Sequence, residues 1–362
     1  MLRGARILVA PLDWGLGHAA RCVPVVQALL EQGSLPVIGA DKGALALLRD
    51  AFPAVEAVRI PGMEVRYGSG RSQAWAMARQ FPGMLRQVHE EHAWLARNRG
   101  RLQLDAVVSD QRFGLHSPAL PSVLITHQVF PFTPFGRGIA RRINHRHIQR
   151  FDHCWIPDHA DAPGLAGDLS HGGNMPVHAR YIGPLSRFPQ SENTVPSPAY
   201  RVVAVISGPE PQRTLLEQRV LHQLPSIPGP HLLLTGKPGA EHLQSGQVKV
   251  LGHLPARELE SALRQAELVV GRTGYSTLMD LEALDRGALL IPTPGQPEQE
   301  YLGRLHGPRG THLVQAQDQL NIAVALGHRL ERHGPCKSAG AWSSALSELA
   351  GSIARHRTAH RP

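Results

Sequence analysis

Two short stretches of the chain gather residue types able to act on a bound ligand. One is Gly15-Leu16-Gly17-His18, just after a short apolar run; the other is Thr273-Gly274-Tyr275-Ser276-Thr277, with Asp280 three residues on. Imidazole titrates near neutrality, so His18 can take a proton from a substrate that the glycines let close to the backbone. Its other reading is a helix-capping or packed histidine. In the second stretch, free N–H groups from Thr273 to Thr277 and the dipole of the helix they open can hold a pyrophosphate. Asp280, about two turns into that helix, can accept from both hydroxyls of a ribose, or else be a solvated or ion-paired carboxylate. Gln299 and Glu300 of "PGQPEQE" begin the next helix and reach the same rim, or lie on a plain surface helix.

The first loop lacks the third glycine of a dinucleotide fingerprint, whose ribose-holding acid would have to be Asp41. Asp110 in "SDQR" closes a strand, where it can orient His18 or a substrate, or cap a following helix. His127 and Gln128 follow the next strand and fall at the same sheet edge, which makes them acceptor-side candidates with Gly15 and Gly17. The histidines of "RRINHRHIQR" (141–150) lack a matching carboxylate or cysteine pattern, which favours a solvated basic helix over a metal site. Such a helix can also face anionic lipid headgroups.

These residues need a frame, and the chain supplies two. "ARILVAPL" (5–12) is a strand-length apolar run, as in a parallel strand buried on both faces, and a helix follows from about 19 to 32. Further strands are expected at 35–40, 54–60, 104–110, 121–126 and 153–158, with a long helix over 72–98. "SRFPQSENTVPSPAY" (186–200), polar with three prolines, predicts a linker. The strand and helix alternation then restarts at 201–207 and continues with strands at 230–236, 247–254, 266–271, 288–293 and 311–315. The organisation is therefore α/β: a doubly wound domain over 1–185, the linker, a second such domain over 201–335, and a helix with a frayed tail over 336–362.

Composition narrows the partners. The 362 residues carry 38 Lys+Arg against 29 Asp+Glu, nearly all the positive charge being arginine, and the net +9 favours an anionic ligand or surface. No basic tract interleaves with aromatics, so nucleic acid is not expected. Cys22, Cys154 and Cys336 are too few and too scattered for a disulfide framework or a zinc site. With neither a signal segment nor a spanning apolar run, the expected location is cytoplasmic, with peripheral contact at the inner face of the plasma membrane open.

The combination of GxGH after the first strand with "GRTGYSTLMD" and "PEQE" in the second half resembles the GT-B glycosyltransferases, in the branch of the lipid II-forming N-acetylglucosaminyltransferase. "DWGLGHAAR", "SDQRFGL", "ITHQ" and "SGPEPQRT" are similar to a bacterial group of predicted glycosyltransferases of that branch, from about 7 to 313. The resemblance implies two Rossmann-like domains facing a cleft, acceptor on the first and nucleotide-sugar on the second. It implies Thr273, Gly274, Tyr275, Ser276 and Thr277 at the phosphate and sugar, Asp280 at the ribose, and Gln299 and Glu300 at the sugar hydroxyls. Leu254 would meet the uracil edge, and Arg187 would be the hinge arginine near the phosphates. Where the family has a glycine-rich turn, this chain has "SGPEPQR". Its prolines remove N–H donors, which shifts phosphate contact to Ser207, Gly208 and Arg213.

The implied activity is inverting, metal-independent transfer of a hexosyl group, such as N-acetylglucosaminyl, from a UDP-sugar to a hydroxyl acceptor, with His18 as base and no cofactor. A lipid-linked or envelope saccharide is the implied acceptor. The alternatives are a UDP-sugar epimerase or hydrolase on the same fold and a non-catalytic nucleotide-sugar-binding protein.

Overall fold

The computed structural model describes residues 2–62, 73–132, 137–188, 197–237, 242–331 and 339–359. The chain divides into two compact units, one of residues 1–65, 77–187 and 337–362, the other of residues 66–76 and 188–336. Most of the expected linker (189–196) and Cys336 lie outside the described residues, whereas Cys22 and Cys154 are buried free thiols.

The first unit is built on β1 (Arg6–Pro11), β2 (Leu35–Ala40), β3 (Glu56–Arg59), β4 (Ala106–Asp110), β5 (Ser122–Ile125), β6 (His153–Ile156) and β7 (Ala179–Tyr181). They form one sheet in the order β3-β2-β1-β4-β5-β6-β7, each pair parallel. Its helices are α1 (Leu16–Glu31), α2 (Lys42–Ala51), α3 (Gln73–Asn98) and α4 (Arg137–Ile148). Burial on both faces explains the unbroken apolar strands: Ile7, Leu8, Val9 and Ala10 of β1 are all inaccessible. Leu8, Val107, Leu95 and Leu102 close one core beneath α3, and Leu124, Val129, Ile148 and Phe151 close another beneath α4.

The second unit repeats the plan with β8 (Tyr200–Val205), β9 (His231–Leu234), β10 (Leu243–Ser245), β11 (Val248–Leu251), β12 (Ala266–Arg272), β13 (Ala288–Ile291) and β14 (His312–Val314). Its order is β10-β11-β9-β8-β12-β13-β14, parallel except for the β10–β11 edge pair. The helices are α5 (Gln212–Gln223), α6 (Ala256–Arg264), α7 (Tyr275–Ala283), α8 (Pro297–His306) and α9 (Ile322–Leu326). Val202, Ala204, Leu233, Val270 and Leu289 form its core with Leu216 and Val220 of α5.

The last helix, α10 (Ala339–Ala359), packs on the first unit. Trp342 meets Trp155 of β6 edge-on at 5.2 Å, and Leu349 and Ile353 are buried. The tail, expected to fray from residue 355, stays helical to Ala359. Arg357 reaches Asp105 at 2.8 and 2.9 Å, a tertiary contact that the terminal sequence does not advertise. No helix among the described residues is long and apolar enough to cross a membrane.

Candidate active site

Open parallel sheets bind ligands beyond the carboxyl ends of their strands, where the strand order reverses. In the first unit that point lies between β1 and β4, which pair from Ile7↔Ala106 to Pro11↔Asp110. The helix after β1 starts at Leu16, three residues before the expected Ala19, because Gly15 takes φ 129 and turns the chain sharply into the helix. A side chain is disfavoured at that angle. His18 thus becomes the third residue of α1 and points at the end of β4.

Four side chains meet there. Asp110 is inaccessible, and no helix follows it to be capped: its carboxylate accepts from Arg21 Nε at 2.7 Å and, on the other oxygen, from Arg21 Nη2. His18 Nδ1 lies 3.1 Å from Asp110 Oδ2 and 2.8 Å from Arg21 Nη2. Arg21 Nη1 donates to His127 Nδ1 at 3.2 Å, which puts the neutral His127 proton on Nε2. Gln128 is half-buried beside them; its N–H donates to Thr126 Oγ1 and its carbonyl accepts from Asn144.

The electrostatics favour a neutral imidazole facing an ionised carboxylate. Burial lowers the His18 pKa below its usual 6.5, the Arg21 cation lowers it further, and Asp110 pulls the other way. Burial also pushes Asp110 up, but Arg21 and His18 outweigh it and hold the carboxyl below its usual value. Nδ1 of a neutral His18 can answer only one neighbour. With the proton on Nδ1 it donates to Asp110 and leaves the Nε2 lone pair for a substrate proton. With the lone pair on Nδ1 it accepts from Arg21, and Nε2 carries the proton.

A second buried network fixes the loop before His18. Asp13 accepts from the Asp41 N–H at 2.9 Å and from Arg112 Nη1 at 3.0 Å, while Arg112 Nε donates to Glu91 at 2.9 Å. The loop entering α1 is thereby tied to the ends of β2 and β4. Asp41, the acid a dinucleotide site would use, instead caps α2 through the Lys42 N–H and pairs with Arg59.

In the second unit the order reverses between β8 and β12. Ser207 and Gly208 follow β8, Thr273 and Gly274 follow β12, and Tyr275, Ser276 and Thr277 form the first turn of α7. Tyr275 is buried. Asp280, sixth in α7, is 8% exposed, and Leu254 sits in the loop after β11. Gln299 Oε1 accepts from the Thr293 N–H at 2.9 Å and Glu300 Oε1 from the Gly295 N–H at 2.8 Å, so both brace the β13–α8 loop. Arg213 is turned onto Glu210 and the Gly236 carbonyl rather than toward Ser207. Arg187 is the last residue of the first unit before the chain passes into the second.

Along this edge, buried polar atoms have no hydrogen-bond partner: Thr235 Oγ1 after β9, Thr273 Oγ1 after β12, Thr293 Oγ1 after β13 and Gln296 Oε1 at the start of α8. Buried polar groups without partners are costly, and these four gather at the carboxyl ends of neighbouring strands.

No family model matches the chain, and no curated protein matches it. Solved structures do. The glycotransferase of kitacinnamycin aligns over 98% of this chain and 96% of its own, with TM-score 0.61 and 14% identity. The fold is GT-B. Spinosyn rhamnosyltransferase SpnG matches the same GT-B frame over 96% of each chain with TM-score 0.60 and 17% identity, and has been solved with thymidine diphosphate and with spinosyn aglycone. The MurG of Acinetobacter baumannii covers 99% of this chain and 96% of its own at 12% identity and TM-score 0.50.

The GT-B frame brings His18, Asp110 and His127 together and adds Arg21, which sequence reasoning passed over. The signal was there: Arg21 stands three residues after His18 on the face that also carries Cys22, Val25 and Leu29, and residues so spaced share one side of a helix.

Proposed function

We propose that the chain is an inverting, metal-independent glycosyltransferase moving a hexosyl group, such as N-acetylglucosaminyl, from a UDP-sugar to a hydroxyl acceptor. The observation that carries this reading is the partly exposed His18 set on the buried Asp110–Arg21 pair at the switch point of a GT-B sheet. In the proposed reaction the acceptor oxygen attacks the anomeric carbon as its proton passes to His18 Nε2. The bond from that carbon to the diphosphate breaks, and its electron pair leaves with the diphosphate. A single displacement inverts the anomeric centre. The imidazolium then donates Nδ1–H to Asp110, which Arg21 keeps ionised. The N–H groups and dipole at the start of α7 offset the charge on the leaving group.

A thermal-shift screen tests the donor half. UDP at about 100 times its dissociation constant should add roughly 2.7 kcal/mol of stability. TDP belongs beside it, because SpnG has been solved with thymidine diphosphate. If no nucleoside diphosphate raises the melting point, the donor assignment is wrong. Incubation with UDP-sugar alone separates the other chemistries, since epimer or free sugar formed without acceptor would point to an epimerase or hydrolase.

For the acceptor we propose a lipid-linked or envelope saccharide. Ile139, Arg142 and Arg146 of α4 are exposed at spacings that share one helix face, which suits an anionic bilayer surface. The full chain should float with vesicles rich in phosphatidylglycerol and not with neutral ones. Equal behaviour with both would remove the membrane from the proposal.

A further inference from the structure

Three arginines among the described residues are buried, and two have carboxylates: Arg21 has Asp110, and Arg112 has Asp13 and Glu91. Arg272, which closes β12, is the third. It is 1% exposed, and all its described partners are neutral carbonyls: Gln212 O at 2.6 Å from Nη2, Ser207 O at 3.4 Å from Nε, and Ile291 O and Pro292 O at 3.4 Å from Nη1. A β-carbon built on Gly208 would stand 3.8 Å from Arg272 Nε and 3.6 Å from the unpartnered Thr293 Oγ1. The cation therefore lies directly under the turn that follows β8, beside hydroxyls that lack partners.

A buried charge without a counter-charge is costly even after its surroundings relax. Burial brings the Arg272 pKa down only to about 10, so the group is still charged at neutral pH. Carbonyl dipoles offset part of the cost. An anion arriving at this edge would offset the rest.

We infer that Arg272 is a positioning residue whose unmatched cation presets the β8–β12 edge for a diphosphate, so that its charge is balanced only when the ligand is bound. This rests on the donor-site reading and deepens it. Arg272 acts from beneath, holding the Ser207 and Gln212 carbonyls and biasing the field above Gly208 toward negative charge. The ligand class it selects is a diphosphate as opposed to an uncharged nucleoside.

The test uses the full chain with UDP, uridine and inorganic pyrophosphate as titrants, and denaturant midpoints without ligand. Arg272→Gln should lose roughly tenfold or more in affinity for UDP and for pyrophosphate, with uridine binding unchanged and the ligand-free midpoint equal or higher. Arg272→Lys should retain most of the UDP affinity. Should Arg272→Gln fail to fold, Thr293→Asp serves: it supplies the missing counter-charge, so UDP binding should drop while the ligand-free protein gains stability. Equal losses for UDP and uridine in Arg272→Gln, with a lower ligand-free midpoint, would make Arg272 a structural tie and overturn the inference alone. So would unchanged UDP affinity in either neutralising variant. Wild-type protein that binds neither UDP nor pyrophosphate would overturn the donor reading and this inference with it.

Discussion

His18→Ala is expected to lower transfer by roughly 10²–10⁴-fold, the range a positioned general base supplies, while leaving the UDP-induced thermal shift intact. The split follows from the positions of the two candidate sites, since His18 belongs to the first unit and α7 to the second. The pH profile adds a sign. The base form of His18 exists above a pKa that burial and Arg21 hold below 6.5, so the rate should stay flat through neutrality and fall only in more acid solution. Asp110→Asn removes the charge that raises this pKa and moves the acid limb further down, whereas Arg21→Gln moves it up. Nitrogen NMR of labelled histidine decides the role of the ring: a base needs the proton on Nδ1. A resting proton on Nε2, or a fully active His18→Ala, would end the base assignment.

Asp110→Ala should cost about 3–5 kcal/mol of folding stability, a large share of the 5–15 kcal/mol typical of a domain. Both partners are out of water, the Asp110 side chain at 0% and the Arg21 side chain at 2% exposure, so solvent screens neither. Removing the carboxylate strands a buried guanidinium. The native pKa of Asp110 lies below its usual 3.8, so its stabilisation is complete above that value and is lost as pH falls through the folded pKa. Replacing both partners with apolar residues, Asp110→Leu with Arg21→Met, should recover most of the loss, because the cost comes from the stranded charge. Denaturant midpoints measure all three proteins. A single variant within about 0.5 kcal/mol of wild type would mean water reaches Arg21 after all.

Where apolar pattern and buried strand coincide, the fold could be read from the residues: β1 and β4 lie within the expected segments, and β8 and β12 each overrun theirs by one residue. Two strands escaped. Ala179–Tyr181 and Leu243–Ser245 are three-residue edge strands without an apolar run, and β10 is exposed throughout. Such strands exist because a neighbour offers an edge, which is a tertiary fact. The same holds at the candidate sites. His18 and Asp110, 92 positions apart, were legible because motif glycines and strand ends announce them. The orientation of Arg213 toward Glu210 and the lone burial of Arg272 depend on contacts that no local spacing encodes.

The return of α10 to the first unit has a consequence for synthesis on the ribosome. About 150 residues separate Arg187 from Ala339, and nearly all belong to the other unit. At translation rates of about 5–20 residues per second, the first unit waits roughly 8–30 s for its final helix. Through that interval the face of β6 around Trp155 lacks its cover, although the second unit can already be complete. A nascent chain stalled before residue 339 should therefore present a chaperone with an exposed tryptophan face on the half that was made first.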